Sequence, residues 1–313
     1  MATQIRTANF AQLFSAGVEA EPAPSVSVRR RRRNALLEQS LTNRFVRILN
    51  GVVHMCHPRR IAALPGLIDF TFREWLVGAS TLPDPESALA RPDGLCALAG
   101  DVSADTLLDA YARGLSPRGF IGFETFWSPA ERQLFDLKSP VSGDAGRALS
   151  QSGGTFSFDQ DFDLVIAACA KALDERASPV SLSPAILHGF AQIYDMGFAH
   201  SFEMRDSAGR LTAGGFGVAA GRVFAVEGLF ERVPGALAAG LALLNRHLTA
   251  WGYVCTAVNC AMEAQGGLIL VPRARFNALL TGNLGGGKFG RWRAGLDVES
   301  QEPRVMSRFR RAA

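Results

Sequence analysis

Between residues 199 and 230 three apolar runs follow one another, AHSFEMRD, RLTAGGFGVAAG and RVFAVEGLF, parted by turns too short to hold a helix. This spacing predicts consecutive strands. From Ala236 to Leu248 the apolar residues recur at helical spacing, and SLSPAILHGFAQIYDMG upstream reads as a helix ending at Gly197. FSFDQDFDLVIAACAKAL gives an extended piece running into a helix from Phe162 to Leu173. YVCTAVNC adds a strand, and LILVPRARFNALL a last strand with a short helix. The chain is expected to be α/β (α+β), with a mixed sheet flanked by helices.

Within that pattern Glu227 is out of place. Val223 to Val226 read as a buried strand, and the carboxylate falls near its end, before the next helix begins. A charge there must be paired, protonated or used, because an unpaired buried carboxylate costs several kcal/mol, on the order of a domain's whole reserve.

The rest of the composition narrows the setting. The 313 residues are 48% hydrophobic and 20% charged, which is ordinary globular composition and excludes a disordered chain. No uninterrupted apolar run reaches membrane-spanning length and the N-terminus lacks the order of a secretory signal, so a cytoplasmic protein with no membrane partner is expected. The five cysteines are scattered without metal-ligand spacing, and the cluster HMCHP (54–58) crowds its soft ligands into too few residues for a zinc site; no metal is expected. The net charge of +4 is unevenly spread. Residues 1–78 hold eleven Arg and five acids, residues 284–313 seven Lys or Arg and three acids, and the part between is acidic.

Four segments are expected. Residues 1–78 form a basic extension with the run Arg29 to Arg33 and an amphipathic stretch over 35–53. Residues 79–141 form a small N-terminal domain, with a turn at Pro92-Asp93-Gly94 and a helix entered at Ser103 and stopped at Gly114. A Gly- and Ser-rich stretch separates it from a larger domain, 155–283, whose element order is that of a GNAT-type acyltransferase-like core. Residues 284–313 form a basic tail in which Phe289 and Trp292 interleave with Lys288, Arg291 and Arg293; rings that stack on bases beside cations that meet phosphate make this a candidate nucleic-acid contact, against the plainer reading of a solvated tail.

PDGLCALAGDVSADTLLDAYARGLSP, FWSPAER (126–132), AHSFE (199–203), the Gly-rich strand, VEGLF and VPRARF occur in the order seen in leucyl/phenylalanyl-tRNA–protein transferases, which this chain resembles from about residue 82 to 282. The resemblance implies transfer of Leu or Phe from aminoacyl-tRNA to the α-amino group of a protein or peptide beginning with Arg or Lys, with no cofactor. The ester is already activated, so alignment, proton removal and oxyanion stabilisation suffice. By the same resemblance Glu227 takes the place of the glutamate in the family's Gly-Glu-Ser-Met-Phe motif and is the expected catalytic residue. Phe224 and Phe230 are expected to line the aminoacyl pocket, unless they are plain core, and Arg205 and Trp127 to face the aminoacyl end. His200 and Glu203, in the matching Ala-His-Ser-x-Glu motif, are expected to form a bracing hydrogen-bonded pair.

The chain also departs from the family. Its Asn-Ala-Ser-Lys becomes Gly235, Ala236, Leu237 and Ala238, and its Phe-Pro-Trp becomes Ser116, Pro117 and Arg118. The Asp-Cys-Gln relay aligns by spacing with Cys255, Thr256 and Ala257, and the histidine after it with Met262; a one-residue shift instead brings Asn259 and Cys260 into register as a polar pair. Three readings therefore stay open: an active aminoacyltransferase built around Glu227, a repurposed relative that binds without turnover, and a GNAT enzyme using another acyl donor. A cysteine nucleophile, Cys255 or Cys260, lacks an adjacent base in the sequence.

Overall fold

A computed structural model describes residue 33 and residues 82–137, 154–176, 180–260 and 268–295. The amphipathic stretch 35–53, the HMCHP cluster, Met262 and most of the Gly/Ser-rich segment lie outside them. The strands are β1 (Leu95–Leu98), β2 (Ser116–Phe120), β3 (Phe123–Trp127), β4 (Glu131–Asp136), β5 (Thr155–Phe158), β6 (Val180–Ser181), β7 (Ala199–Arg205), β8 (Leu211–Ala220), β9 (Val223–Glu231), β10 (Cys255–Val258) and β11 (Leu268–Pro272). The helices are α1 (Ala104–Ala112), α2 (Phe162–Glu175), α3 (Pro184–Asp195), α4 (Ala236–Ala250) and α5 (Arg273–Thr281).

They build two sheets, a smaller one in the order β1-β3-β2-β6 and a larger one in the order β11-β4-β10-β9-β8-β7-β5. The larger sheet is mixed. Only β9 and β10 pair in parallel among the described strands, and α4 is the crossover that such a pair needs. Sheet membership crosses the Gly/Ser-rich stretch in both directions: β4 joins the large sheet, and the short β6 joins the small one.

Local chemistry sets the ends of the elements. Ser183 caps α3 by accepting from the Ile186 N–H, with Pro184 in the first turn, where its missing donor costs nothing. Gly197 ends that helix region at φ 83°, where a side chain would be strained. The large sheet carries a core on each face. Val165 and Ile166 of α2, Ile186 and Phe190 of α3 and Leu107 of α1 cover one face, and Leu241, Leu244 and Leu248 of α4 pack with Phe158, Phe202 and Trp292 on the other.

The described part of the basic segment, residues 284–295, packs against the protein, where a solvated tail is the plainer expectation. Trp292 is only 1% exposed; its ring stacks on His200 at 3.7 Å and its indole N–H donates to the Lys288 carbonyl. Phe289 packs edge-on against Phe198, Lys288 lies 3.9 Å over the Trp251 ring and Arg291 3.8 Å over Tyr194. Trp292 is thus a core residue and cannot stack on a base here, which corrects the expectation from its sequence neighbours. The cations beside it pack their stems and charges on aromatic faces. Arg33 also departs from a solvated run: it pairs with Asp163 on α2 and Asp195 on α3.

Candidate functional site

In β9 a single register shift decides where the carboxylate points. Phe216 pairs with Gly228 and Gly217 with Val226, so Glu227 is the extra residue of a β-bulge. The face assignment flips across it. Phe224 and Val226 face the α4 side before the bulge, Leu229 faces it afterwards, and Phe230 turns to the opposite core. Glycine is required on both strands here: a Cβ at Gly217 would sit 2.3 Å from the Ala225 carbonyl oxygen, and one at Gly228 2.5 Å from the Phe216 ring. Glu227 is therefore inside the strand rather than at its end, and the bulge aims it at the small sheet.

Two residues from elsewhere in the chain meet it, and a third reaches it through one of them. Arg118 of β2 donates to Glu227 Oε2, with further bonds to the Pro117 carbonyl at 2.8 Å and the Asn259 carbonyl at 2.7 Å. Asn259 Nδ2 donates to Glu227 Oε1. Its position follows from the parallel register: Val258 pairs with Val226, and the Asn259 N–H continues the ladder to the Val226 carbonyl at 2.9 Å. Arg132 donates to Asn259 Oδ1 at 2.5 Å and to the Gly114 carbonyl, while its Nε–H has no hydrogen-bond partner among the described residues. On β4, Gln133 lies opposite Val258, so Arg132 comes level with Asn259.

The electrostatics follow from burial. The Glu227 side chain is fully buried and that of Arg118 7% exposed, so removing either partner strands the other charge at a cost of about 3–5 kcal/mol. Burial alone would lower the Arg118 guanidinium, but Glu227 and then Tyr111 outweigh it and the pKa is raised. Burial pulls Arg132 down to about 10 against the attraction of Glu227, which leaves it charged at neutral pH. The Tyr111 hydroxyl is buried beside Glu227, and burial first and that carboxylate second push it well above its ordinary value.

This network forms an inner wall of an open cleft of about 1070 Å³ where the two sheets meet. Arg118, Trp127, Arg132, Leu229, Val258 and Asn259 are among its lining residues, with Asp93, Glu131 and Glu231 adding acid. The structure thus brings Trp127, Asn259 and, through its partners, Glu227 to one place. It separates the others. Phe224 and Phe230 are buried on opposite faces of the sheet and do not line the cleft. Arg205 pairs with Asp161 and the Gly209 carbonyl, away from the cleft.

His200 and Glu203 do not bond each other, because residues three apart in a strand face opposite sides. His200 Nδ1 lies 2.9 Å from Asp159 Oδ2, and Glu203 accepts from the Ser157 and Ser201 hydroxyls. Asp159, held at φ 56°, also accepts from the backbone N–H groups of Ser201 and Trp292. Burial pushes Cys255 and Cys260 each up to about 12, so neither is a thiolate nucleophile at neutral pH.

Sequence reasoning passed over Arg118, Arg132 and Tyr111. Arg118 was visible only as a departure from a family motif and Arg132 only as the last residue of FWSPAER. The available signal was an arginine set in each of two apolar strand segments. Among the described residues no group of three or more His, Cys, Asp or Glu could hold a metal ion, and no helix is long and apolar enough to cross a membrane.

A family model described as leucyl/phenylalanyl-tRNA protein transferase matches residues 135–281. The leucyl/phenylalanyl-tRNA–protein transferase of Pseudomonas fluorescens is 35% identical over 224 residues, covering 70% of this chain and 98% of that protein. Its counterpart in Pseudomonas syringae pv. syringae is 36% identical over 208 residues (64% and 89%), and that of Thiobacillus denitrificans 36% over 218 residues (66% and 92%).

Proposed function

This chain belongs to the leucyl/phenylalanyl-tRNA–protein transferase family, and from that membership we propose that it moves Leu or Phe from tRNA to the α-amino group of a protein beginning with Arg or Lys, with Glu227 as the catalytic carboxylate. The amine nitrogen bonds to the ester carbonyl carbon, the bond from that carbon to the ribose oxygen breaks, and the proton lost by the amine ends on the ribose oxygen. The observation that supports this reading most is the bulge that turns Glu227 toward the small sheet and seats it between Asn259 and Arg118, both of which line the cleft. A carboxylate so placed can accept an amine N–H and its proton, and a guanidinium beside it can stabilise the oxyanion.

The cleft lining pairs three acids, Asp93, Glu131 and Glu231, with three arginines, Arg118, Arg132 and Arg176; the carboxylates are the groups that can meet a cationic acceptor. The tRNA phosphates would fall to the basic segments, with Lys288, Arg291 and Arg293 kept as contacts and Trp292 withdrawn. The reaction belongs in the cytoplasm, where charged tRNA is found. The acyltransferase-like core is part of the same reading, with β9, α4 and β10 as its crossover unit.

An acyl-coenzyme A donor is disfavoured by the start of α4. The Leu237 N–H there already donates to Glu231 Oε1 at 3.0 Å, so that helix end holds a carboxylate where a pyrophosphate would need free donors. A binding protein without turnover draws support from one feature, the occupation of both Glu227 oxygens in the unliganded chain. Transfer of radiolabelled Leu or Phe from charged tRNA to a peptide beginning with Arg separates these readings. Transfer that Glu227→Gln abolishes supports the enzyme; a folded, tRNA-binding protein without transfer supports the binding protein.

A further inference from the structure

Arg132 is expensive where it stands. Its guanidinium is buried and pulled down to about 10, and its Nε–H has no partner among the described residues. Its ring-side contact, 4.5 Å over Phe276, would be filled as well by an apolar side chain, without the cost of burying a charge. What an apolar residue could not do is hold the Asn259 amide. With Oδ1 facing a guanidinium and Nδ2 facing a carboxylate, the amide has one favourable orientation. Rotating it by half a turn sets N–H against N–H on one side and oxygen against oxygen on the other.

We propose that Arg132 is a positioning residue for aminoacyl transfer: by holding Asn259 Oδ1 it keeps the amide N–H on Glu227 and so fixes the carboxylate directly behind the cleft wall that Arg118 and Asn259 form. This rests on Glu227 being the functional carboxylate. Without Arg132 the amide is held only by its bond to Glu227 and its side chain can swing away, so the carboxylate loses the firm hold on one of its two oxygens while Arg118 still grips the other. No hydrogen bond joins Arg132 to Glu227, so the orienting effect runs through Asn259, and the charge attraction between the two is the part that Arg132→Lys retains.

The test is a double-mutant cycle on the full chain, with kcat, KM for charged tRNA and melting temperature measured for Arg132→Met, Asn259→Ala and the double variant. Arg132→Met should lower kcat ~10–100-fold, the loss typical of an outer partner that orients a functional group, with KM changed by less than about threefold. The double variant should be no slower than Asn259→Ala alone, and Arg132→Lys should recover part of the rate, because an ammonium can still donate to Oδ1. Unchanged kcat in Arg132→Met, or losses that multiply in the double variant, would overturn the positioning role. Should Arg132→Met fail to fold, the cycle is run with Arg132→Lys, where the same coupling is required. Glu227→Gln assayed alongside separates the two failures: a fully active Glu227→Gln removes the site itself, whereas an inactive one with multiplicative Arg132 and Asn259 losses removes only the positioning.

Discussion

Two buried polar clusters sit on opposite faces of the large sheet, and each joins an acid to a basic side chain. One holds Glu227 between Arg118 and Asn259 and borders a cleft; the other holds Asp159 against His200 and is closed over by Trp292, Phe158, Phe224 and Tyr253. Each takes one residue from a family motif, Glu227 from VEGLF and His200 from AHSFE. What separates them is the cleft: Arg118, Asn259 and Arg132 of the first are among its lining residues, with the Glu227 side chain buried directly behind them, whereas the second ties the 288–293 segment to the sheet through the Trp292 N–H. Chemistry read from residue types alone ranks the two equally. Geometry does not.

The largest effect expected is on the cleft cluster. Glu227→Gln should abolish transfer and also destabilise the fold by about 3–5 kcal/mol, because Arg118 is left charged and buried. Arg118→Met should cost a similar amount by chemical denaturation, and the pair Arg118→Met with Glu227→Leu should recover most of the stability while staying inactive. Recovery would show that the ion pair is retained for reaction rather than for folding.

On the closed cluster the split should reverse. Trp292→Ala should cost about 3–5 kcal/mol, as other large aromatic truncations in cores do, while the folded fraction at low temperature keeps its kcat. A lost kcat at unchanged fold would erase the contrast between the two faces.

A smaller effect distinguishes buried groups by pH. His247 is held below its ordinary value by burial first and by the cations Arg246 and Lys288, against the Leu243 carbonyl. Its contribution is fully present above the unfolded value of about 6.5 and is lost as pH falls through the folded value. Glu203 is raised by burial despite its two serine donors, so its contribution is present below its unfolded value and is lost as pH rises through the folded one. Denaturation curves across pH 4 to 8 for His247→Leu and Glu203→Gln should therefore flatten the pH dependence with opposite signs.

Element order and the isolated acid at 227 were legible because periodicity and charge are local properties of the chain. Asn259 was within reach only through the shifted register, and the parallel pairing of β9 and β10 is what places it against Glu227. Arg118 and Arg132 were not legible as partners: their contacts join residues more than a hundred positions apart, and no local pattern encodes those. Phe224 and Phe230 misled for a different reason, since an even spacing promises one face of a strand and the bulge between them breaks that parity. Trp292 reads as a tail residue by its cationic neighbours, yet Lys288 and Arg291 lie over the Trp251 and Tyr194 rings while the indole fills the core.

The most direct test of the central claim is the rate of Leu or Phe transfer from charged tRNA to an Arg-initiated peptide, for the native chain and for Glu227→Gln at a temperature where both are folded. Transfer by the native chain and none by the variant is the predicted result. Equal transfer by both would contradict it, and would move the chemistry away from the carboxylate that the bulge in β9 presents.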